Sequence, residues 1–297
     1  MQLKKLTIES KNLINDFLAK KRYQISAYAF ENIIIWDCLY DIFWTEIKQS
    51  LCVFFKDKCG CFLYLAPLGD GFDIKVIEEC FEIMDSYNKN PSISRIENIE
   101  NSQSHLYRKY GYNILKSSCD YVCLRESLVA LKGNKFKSKR YSVNYFKKNY
   151  NFQIIEYEKD FKKDCLDLFS YWLNSRKSKN NDLFYQQLLE DNLAIFNNFL
   201  NYYEYLDAKG YVIKIDNQIK AFTFGYELNE DVFVILFEIC DLRIKGISQY
   251  IFEEFCRLQK HKDINIMDDS FLENLRKVKM SYHPYKIIDK FIARRYE

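Results

Sequence analysis

The sequence predicts a protein that combines helices and strands, α/β in the broad sense and α+β in the strict one. It predicts two domains that each hold a mixed, mostly antiparallel sheet flanked by helices. The 297 residues exceed one typical compact domain and suit two domains of about 130 to 160 residues. Hydrophobic residues make up 48% and charged residues 29%, a globular composition that supplies two cores. Two stretches also repeat one order of elements, which predicts an N-terminal domain over residues 1–130 and a C-terminal domain over residues 131–297.

The first copy of this order begins near residue 51. LCVFFKDKCGCFLYL indicates two apolar strands around a turn, and APLGDG is a loop. DIKVIEECFEIMDSY predicts an amphipathic helix, because its apolar residues recur at helical spacing. SRIENIE then predicts a short strand, LYRKYGY ends a second helix, and CDYVCL predicts the last strand.

The second copy runs over residues 210–297. GYVIKIDNQIKAFTFGYEL indicates two strands joined by a turn at Asp216-Asn217, and VFVILFEIC indicates a third strand. The loop DLRIKG leads into the amphipathic helix ISQYIFEEFCRLQK. DINIM predicts a strand, DSFLENLRKVKMSY a helix and YKIIDKFIARRY a last strand. Two more helices are predicted between the halves, near residues 160–175 and 183–206, and the aromatic residues of the second are expected in the core.

A basic stretch, LKGNKFKSKRYSVNYFKKNY, opens the predicted C-terminal domain at residues 131–150. It carries six lysines, one arginine and no acid, whereas the whole chain has a net charge of only +3. The basicity is therefore local, and aromatic residues are interleaved with it. Three interpretations remain open: contact with nucleic acid, binding of a small anionic donor or lipid headgroup, and a solvated helix between domains.

Several classes of site are not expected. The most apolar strings, such as VFVILFEI, are far shorter than the roughly 18 residues of a membrane span, and the N-terminus lacks the apolar region of a signal peptide. Ten cysteines include no CxxC pair and have three histidines as potential co-ligands, so no metal site is predicted. We interpret the cysteines as reduced, mostly buried thiols of a cytoplasmic protein.

A glycine loop lies at a predicted strand-to-helix junction, Arg243-x-x-Gly246-x-Ser248. Unpaired backbone amides at a helix start favour an anion, and glycine permits its close approach. The loop resembles the R/Q-x-x-G-x-G/A loop with which GNAT acyltransferases hold the pyrophosphate of acyl-CoA. The alternative is an ordinary loop in which Gly246 eases the packing of strand and helix. The corresponding LGDG of the first half carries aspartates and is interpreted as structural.

The stretch at 131–150 also resembles the pattern LKGKKFHKKRNxINxFKKxY. That pattern is typical of a bacterial family akin to the C-terminal domain of phosphatidylglycerol lysyltransferases. FENIIIWDCLYDIFW, LYLAPLG, IKAFTFGYEL, FEICDLRIKG and LRKVKMSYHP resemble further family segments in the expected order. Such proteins are similar to the tandem GNAT folds of Fem-type, transfer-RNA-dependent aminoacyltransferases.

The resemblance implies two GNAT-like domains that transfer an aminoacyl or acyl group without a metal. Aminoacyl-tRNA is the implied donor and acyl-CoA the alternative, while the acceptor is a small molecule or a peptide. Direct use of a lipid acceptor is not expected, although peripheral membrane contact through the basic helix is possible.

Several polar or glycine positions of the family pattern differ here. Ile239 stands where the family has lysine, Ile266 and Met267 where it has arginine and glutamate, and Phe271 and Asn274 where it has glycines. These departures keep open a third hypothesis, a catalytically degenerate protein that still binds an anionic ligand or RNA.

Transfer of an acyl group needs a base for the acceptor, stabilisation of the carbonyl oxygen and a held donor. Glu238 is the candidate general base, Lys279 the candidate group for the oxyanion or a donor phosphate, and Tyr282 the candidate proton donor to the leaving group. The plainer alternatives are an ion-paired carboxylate, a solvated lysine and a half-buried tyrosine. The residues predicted to bind the donor and its phosphates are Arg243, Gly246, Ser248, Lys132, Lys139, Arg140 and Arg276.

Overall fold

The computed structural model describes residues 3–296 and divides the chain into two compact units. The first unit comprises Met1–Tyr121, Asp268–Arg276 and Ile287–Glu297, and the second comprises Val122–Met267 and Lys277–Lys286. The chain therefore returns to the first unit twice near its C-terminus. The domain boundary between residues 130 and 131 stays a prediction.

The strands of the described residues are β1 (Lys4–Lys5), β2 (Asp41–Ile47), β3 (Ser50–Lys56), β4 (Cys61–Leu63), β5 (Ile96–Glu100), β6 (Tyr112–Leu124), β7 (Gln153–Glu156), β8 (Ala208–Ile215), β9 (Gln218–Asn229), β10 (Val232–Cys240), β11 (Asp263–Asn265) and β12 (Lys286–Arg295). The α-helices are α1 (Lys11–Leu18), α2 (Phe30–Ile34), α3 (Ile74–Tyr87), α4 (Asn101–Lys109), α5 (Arg125–Ala130), α6 (Lys137–Asn149), α7 (Lys162–Lys177), α8 (Leu183–Tyr202), α9 (Ile247–Arg257) and α10 (Glu273–Met280).

The first unit is built on strands in the order β1-β2-β3-β4-β5-β12-β6. The pairs β1–β2, β2–β3, β3–β4 and β5–β12 are antiparallel, and β4–β5 is parallel. Its interior holds a buried ion-pair cluster, in which the Lys290 ammonium lies 2.6 Å from Asp120 and 3.0 Å from Asp268. The two carboxylates raise the pKa of Lys290 against the opposing effect of burial, which keeps the lysine charged.

The second unit orders its strands β6-β11-β10-β9-β8-β7, with β10–β11 parallel and the other pairs antiparallel. Alternate residues of β9 face opposite sides. Phe222 stacks on Phe196 of α8 at 4.6 Å, whereas Ala221 packs into a core cluster with residues of α6 and α9. Helices therefore cover both faces, and the predicted α+β class, with mixed and mostly antiparallel sheets flanked by helices, is confirmed.

Most predicted elements form, because their apolar spacing matches the faces that they bury. In α9, Ile247, Tyr250, Ile251 and Phe255 are buried, while Leu258 follows the helix and is 44% exposed. Phe196 and Phe199 of α8 lie in the core, as expected, whereas Phe184 near the start of the same helix is 75% exposed. The Asp216-Asn217 turn has two positive φ angles, 50° and 61°, as a tight hairpin requires.

The helix predicted over DSFLENLRKVKMSY was placed too early, since α10 begins at Glu273. Ser270 and Phe271 have left-handed φ angles of 48° and 59°. The side chains of Asp268 and Asp269 accept hydrogen bonds from the backbone N–H of Ser270 and Phe271, both at 3.0 Å. These local turns compete with the helix and delay its start.

Candidate functional site

The candidate site lies in the second unit, around Glu238 near the end of β10. Glu238 pairs directly with Thr223 of β9, and Thr223 pairs with Tyr211 of β8. Residues directly opposite each other in antiparallel strands point to the same face, so these three side chains form a polar row. Ala221 lies two residues before Thr223 and Cys240 lies two residues after Glu238, so both side chains point to the same face as the polar row. They pack against α6 and α9, which are therefore the helices that cover the row. A bulge in β10 between Ile235 and Phe237 immediately precedes Glu238.

The Glu238 carboxyl group is held in an unusual state. Its Oε2 atom is buried and accepts no hydrogen bond from the described residues. Burial raises the pKa of Glu238 to about 8, and the positive charges of Lys139 and Lys279 oppose part of that rise. The group therefore exchanges its proton close to physiological pH, unlike an ion-paired carboxylate at a strand end.

Lys139 of α6 and Tyr282, which follows α10, meet beside Glu238. The Lys139 ammonium lies 3.8 Å from the centroid of the Tyr282 ring. Burial lowers the pKa of Lys139, and the carboxylate of Glu238 partly restores it. The pKa of the buried Tyr282 is raised well above its usual value, first by burial and then by Glu238, so its hydroxyl keeps its proton.

Lys279 approaches the same carboxyl group from α10. Its ammonium donates a hydrogen bond to the backbone carbonyl of Ile266, and its charge lowers the pKa of Glu238. The backbone N–H of Tyr282 donates to the carbonyl of Lys279 at 3.1 Å, as expected for residues about one helical turn apart. The three residues predicted as catalytic are thus brought together, and Lys139 joins them.

Sequence reasoning missed Thr223 in this site. Its side chain is fully buried, and its Oγ1 atom has no hydrogen-bond partner among residues 3–296. Buried hydroxyl groups usually find a partner, so an unpaired one next to Glu238 is informative. A threonine within the apolar run AFTFGY was visible in the sequence, but the strand register that sets it opposite Glu238 was not.

The predicted donor loop has internal partners. The Arg243 guanidinium binds the Asp241 carboxylate through Nε at 2.9 Å and Nη2 at 2.6 Å, and it also lies 4.6 Å from the centroid of the Tyr171 ring. Gly246 has a φ angle of +87°, and a Cβ atom there would lie 2.1 Å from the carbonyl oxygen of Ser142 in α6. Ser248 lies partly buried in the first turn of α9. The glycine is therefore required for close packing of the loop against α6.

The other three predicted donor-binding residues are Arg140, Lys132 and Arg276. The Arg140 guanidinium donates to the backbone carbonyls of Leu131 and Gly133, the latter at 2.8 Å, and so holds the segment after α5. Lys132 is exposed in that segment, and Arg276 is exposed in the part of α10 that belongs to the first unit. Their roles in donor binding stay predictions.

Two further findings concern the part of the chain from residue 3 to residue 296. None of its helices combines the length and apolar character needed to cross a membrane. It also contains no group of three or more histidine, cysteine or acidic side chains arranged to hold a metal ion.

Comparison with known proteins places the chain in a family. A conserved protein of unknown function from Bacteroides thetaiotaomicron VPI-5482 has 26% identity to this chain and a TM-score of 0.87, with 100% of both chains covered. FemX has 9% identity and a TM-score of 0.65, with 98% of this chain and 97% of that chain covered. A tandem GNAT protein from the clavulanic acid biosynthesis pathway has 6% identity and a TM-score of 0.54, with 100% and 99% covered. The last two likenesses show the fold alone, and they confirm the predicted tandem GNAT-like architecture.

No curated protein matches the chain. The family model described as phosphatidylglycerol lysyltransferase, C-terminal, matches residues 19–294, which is nearly the whole length. The chain belongs to the family of phosphatidylglycerol lysyltransferase C-terminal domains.

Proposed function

We propose that this protein is an aminoacyltransferase that moves an aminoacyl group from a transfer RNA to a nucleophilic acceptor, with Glu238 as general base. Family and fold support the coarser class, an acyl- or aminoacyltransferase. The observation that carries the proposal is the buried, unpaired carboxyl oxygen of Glu238 beside two lysines and a protonated tyrosine.

The first step is removal of a proton from the acceptor. A base with a pKa of about 8 is ionised in about a tenth of the molecules at pH 7, and this pKa is close to that of an α-amino group. The ionised Glu238 takes the proton as the acceptor nitrogen or oxygen attacks the ester carbonyl of the donor. Thr223 lies directly opposite Glu238, where its hydroxyl group can orient the attacking atom.

The second step is support for the charge and the leaving group. The carbonyl oxygen becomes anionic, and the ammonium groups of Lys279 and Lys139 supply positive charge in a site shielded from water. The leaving group of an aminoacyl ester is a ribose hydroxyl, which needs a proton. Tyr282 keeps its phenolic proton at neutral pH and is the proposed donor.

The test uses transfer RNA charged with a labelled amino acid and measures loss of label from the RNA and its arrival on small amines, peptides or phosphatidylglycerol vesicles. We expect Glu238→Gln to lower kcat at least about 100-fold, the usual contribution of a general base. Glu227→Gln is the matched control, because Glu227 lies on the neighbouring β9 and pairs with His261 at 2.8 Å. Transfer by Glu238→Gln within threefold of the parent protein would contradict the proposal.

An acyl-CoA-dependent acyltransferase is the second candidate, favoured by the left-handed Gly246 at the start of α9. The pairing of Arg243 with Asp241 and the contact of Gly246 with α6 weaken it, since both groups are already engaged. The same assay with acetyl-CoA in place of the charged RNA decides between the donors. Donor binding that leaves the label untransferred, and that Glu238→Gln does not change, would favour the degenerate binding protein.

A further inference from the structure

Four aromatic residues of the basic stretch fall into two groups that differ in their exposure to solvent. Phe136 and Phe146 are 1% and 0% exposed and belong to the core under α9. Tyr141 is 58% exposed and Tyr145 is partly exposed. The core explains the first group, but it does not explain why two tyrosines lie outside it on a helix rich in lysine.

These two tyrosines form a pair with a cation. Their ring centroids are 6.3 Å apart, and the Lys245 ammonium lies 5.1 Å from the Tyr141 centroid and 4.5 Å from the Tyr145 centroid. Lys137 is four residues before Tyr141, and Lys148 is three after Tyr145, so all four lie along one stripe of α6. At 1.5 Å per residue the stripe is about 16 Å long.

No acidic side chain among residues 3–296 pairs with the lysines of this stripe. Among the described residues, Lys137, Lys148 and Lys245 form no ion pair, and residues 131–150 contain no acid. By contrast, Lys147 of the same helix lies 3.7 Å from Glu253. An uncompensated row of like charges favours an anionic ligand.

We propose that Lys137, Tyr141, Tyr145, Lys148 and Lys245, together the α6 platform, bind single-stranded RNA. Bases stack on the two tyrosine rings, and the lysines neutralise the phosphates between them. Each tyrosine ring offers a flat face on which a base can stack, and the length of the stripe suits two or three successive nucleotides. Unpaired bases are required, because bases inside a duplex do not expose a face to the protein.

This proposal rests on the proposed function, for which the platform would hold the single-stranded 3′ end of the charged transfer RNA. α6 links the two sites physically. Lys139 projects from the same helix toward Tyr282 and Glu238, two residues before Tyr141. One helix therefore carries both the proposed RNA-binding side chains and a lysine of the candidate site.

The experiment measures fluorescence anisotropy of a labelled twelve-nucleotide single-stranded RNA that ends in CCA, and of the same sequence as a duplex. The variants are Tyr141→Ala/Tyr145→Ala, the ring-preserving Tyr141→Phe/Tyr145→Phe, and the control Tyr205→Ala, which removes another tyrosine, 59% exposed, from the second unit. We expect the double alanine variant to weaken single-strand binding at least tenfold, while the phenylalanine variant and the control stay within twofold.

Salt dependence tests the lysines. Each neutralised phosphate contributes about 0.7 to the slope of log affinity against log salt, so Lys137→Glu/Lys148→Glu is expected to reduce the slope by about 1.4. Equal affinity of the parent protein and the double alanine variant, equal loss in Tyr205→Ala, or tighter binding of the duplex would overturn the proposal. So would ring-dependent binding to anionic phosphatidylglycerol vesicles without binding to RNA, which would make the platform a membrane contact.

The two proposals fail in distinguishable ways. If only the platform is wrong, the double alanine variant transfers label with an unchanged KM for charged transfer RNA, while Glu238→Gln remains inactive. If only the proposed chemistry is wrong, RNA binding still depends on the two rings, while Glu238→Gln leaves the reaction unchanged.

Discussion

Replacement of Gly246 by alanine tests whether this glycine serves packing or an anion. A Cβ atom at position 246 would lie 2.1 Å from the Ser142 carbonyl oxygen, far inside the normal contact distance, and the φ angle is +87°. Gly111 is the matched control, because its φ angle is +80° but a Cβ atom there meets nothing within 4 Å. Both variants carry the cost of a left-handed alanine, about 1–2 kcal/mol, which a stiffer unfolded chain offsets in part.

The clash adds a second cost for Gly246→Ala alone. α6 must move away by roughly 1 Å from a core that includes Phe146 and Ile251, and overpacking of this kind costs about 1–3 kcal/mol. We therefore expect Gly111→Ala to lower the free energy of unfolding by about 1 kcal/mol and Gly246→Ala by about 3 kcal/mol, measured by urea denaturation with circular dichroism. Equal losses in the free energy of unfolding would refute the packing argument. They would favour the alternative in which the loop at Gly246 is open and binds a phosphate.

Three further predictions follow from buried charges and strained backbone. The pKa of Glu238 is raised to about 8 in the folded protein, whereas it is near 4.3 in the unfolded chain, so ionisation of Glu238 opposes folding as pH rises from 4 to 8. Glu238→Gln is therefore expected to stabilise the protein by about 1–3 kcal/mol at pH 8 and not at pH 4. Equal effects at both pH values in denaturant titrations would contradict this. Lys290→Met removes the ammonium that neutralises the Asp120 and Asp268 carboxylates, and it is expected to cost about 3–5 kcal/mol of folding free energy at pH 7. Since the raised pKa of Lys290 lies above its unfolded value near 10.4, the parent protein loses this contribution only in strong alkali; a measured loss below about 1 kcal/mol at pH 7 would contradict the expected role of the cluster. Phe271 has a left-handed backbone conformation and is 79% exposed, so Phe271→Gly is expected to raise the melting temperature by about 1–3 °C. Asn274 lies in α10, where glycine is a poor helix former, so Asn274→Gly is expected to lower the melting temperature. Shifts of the same sign would argue against the left-handed turn.

The fold was largely predictable because its elements are locally consistent. The apolar period of α9 and the Asp216-Asn217 turn each specify one conformation without help from distant residues. The start of α10 was not predictable from apolar spacing, since aspartate side chains at 268 and 269 satisfy the backbone locally and favour turns.

The sequence singled out Glu238, Lys139, Lys279 and Tyr282, whose roles stay predictions, but it revealed neither their environment nor Thr223. Lys139 and Arg140 were grouped by charge, yet α6 directs the first toward Tyr282 and the second toward backbone carbonyls. The helical spacing of the sequence indicates part of this difference, because Lys139 lies on the same face of α6 as the buried Val143 and Phe146. The pairing of Thr223 with Glu238 depends on strand register and on a bulge in β10, which no local pattern reveals.

The departures from the family pattern have different consequences once the site is built. Ile239 pairs with Phe222, which faces α8, so a lysine at 239 would point away from the side that carries Glu238. The side chain of Ile266 is buried, and its contribution to the site is the backbone carbonyl that accepts from Lys279, a contact available to any residue. Burial raises the pKa of Glu238, and the two lysines that oppose this rise, Lys139 and Lys279, both remain. Two of the apolar replacements therefore leave the proposed base and its cations intact, and the case for a degenerate protein has to rest on the donor side of the reaction rather than on the catalytic carboxyl group.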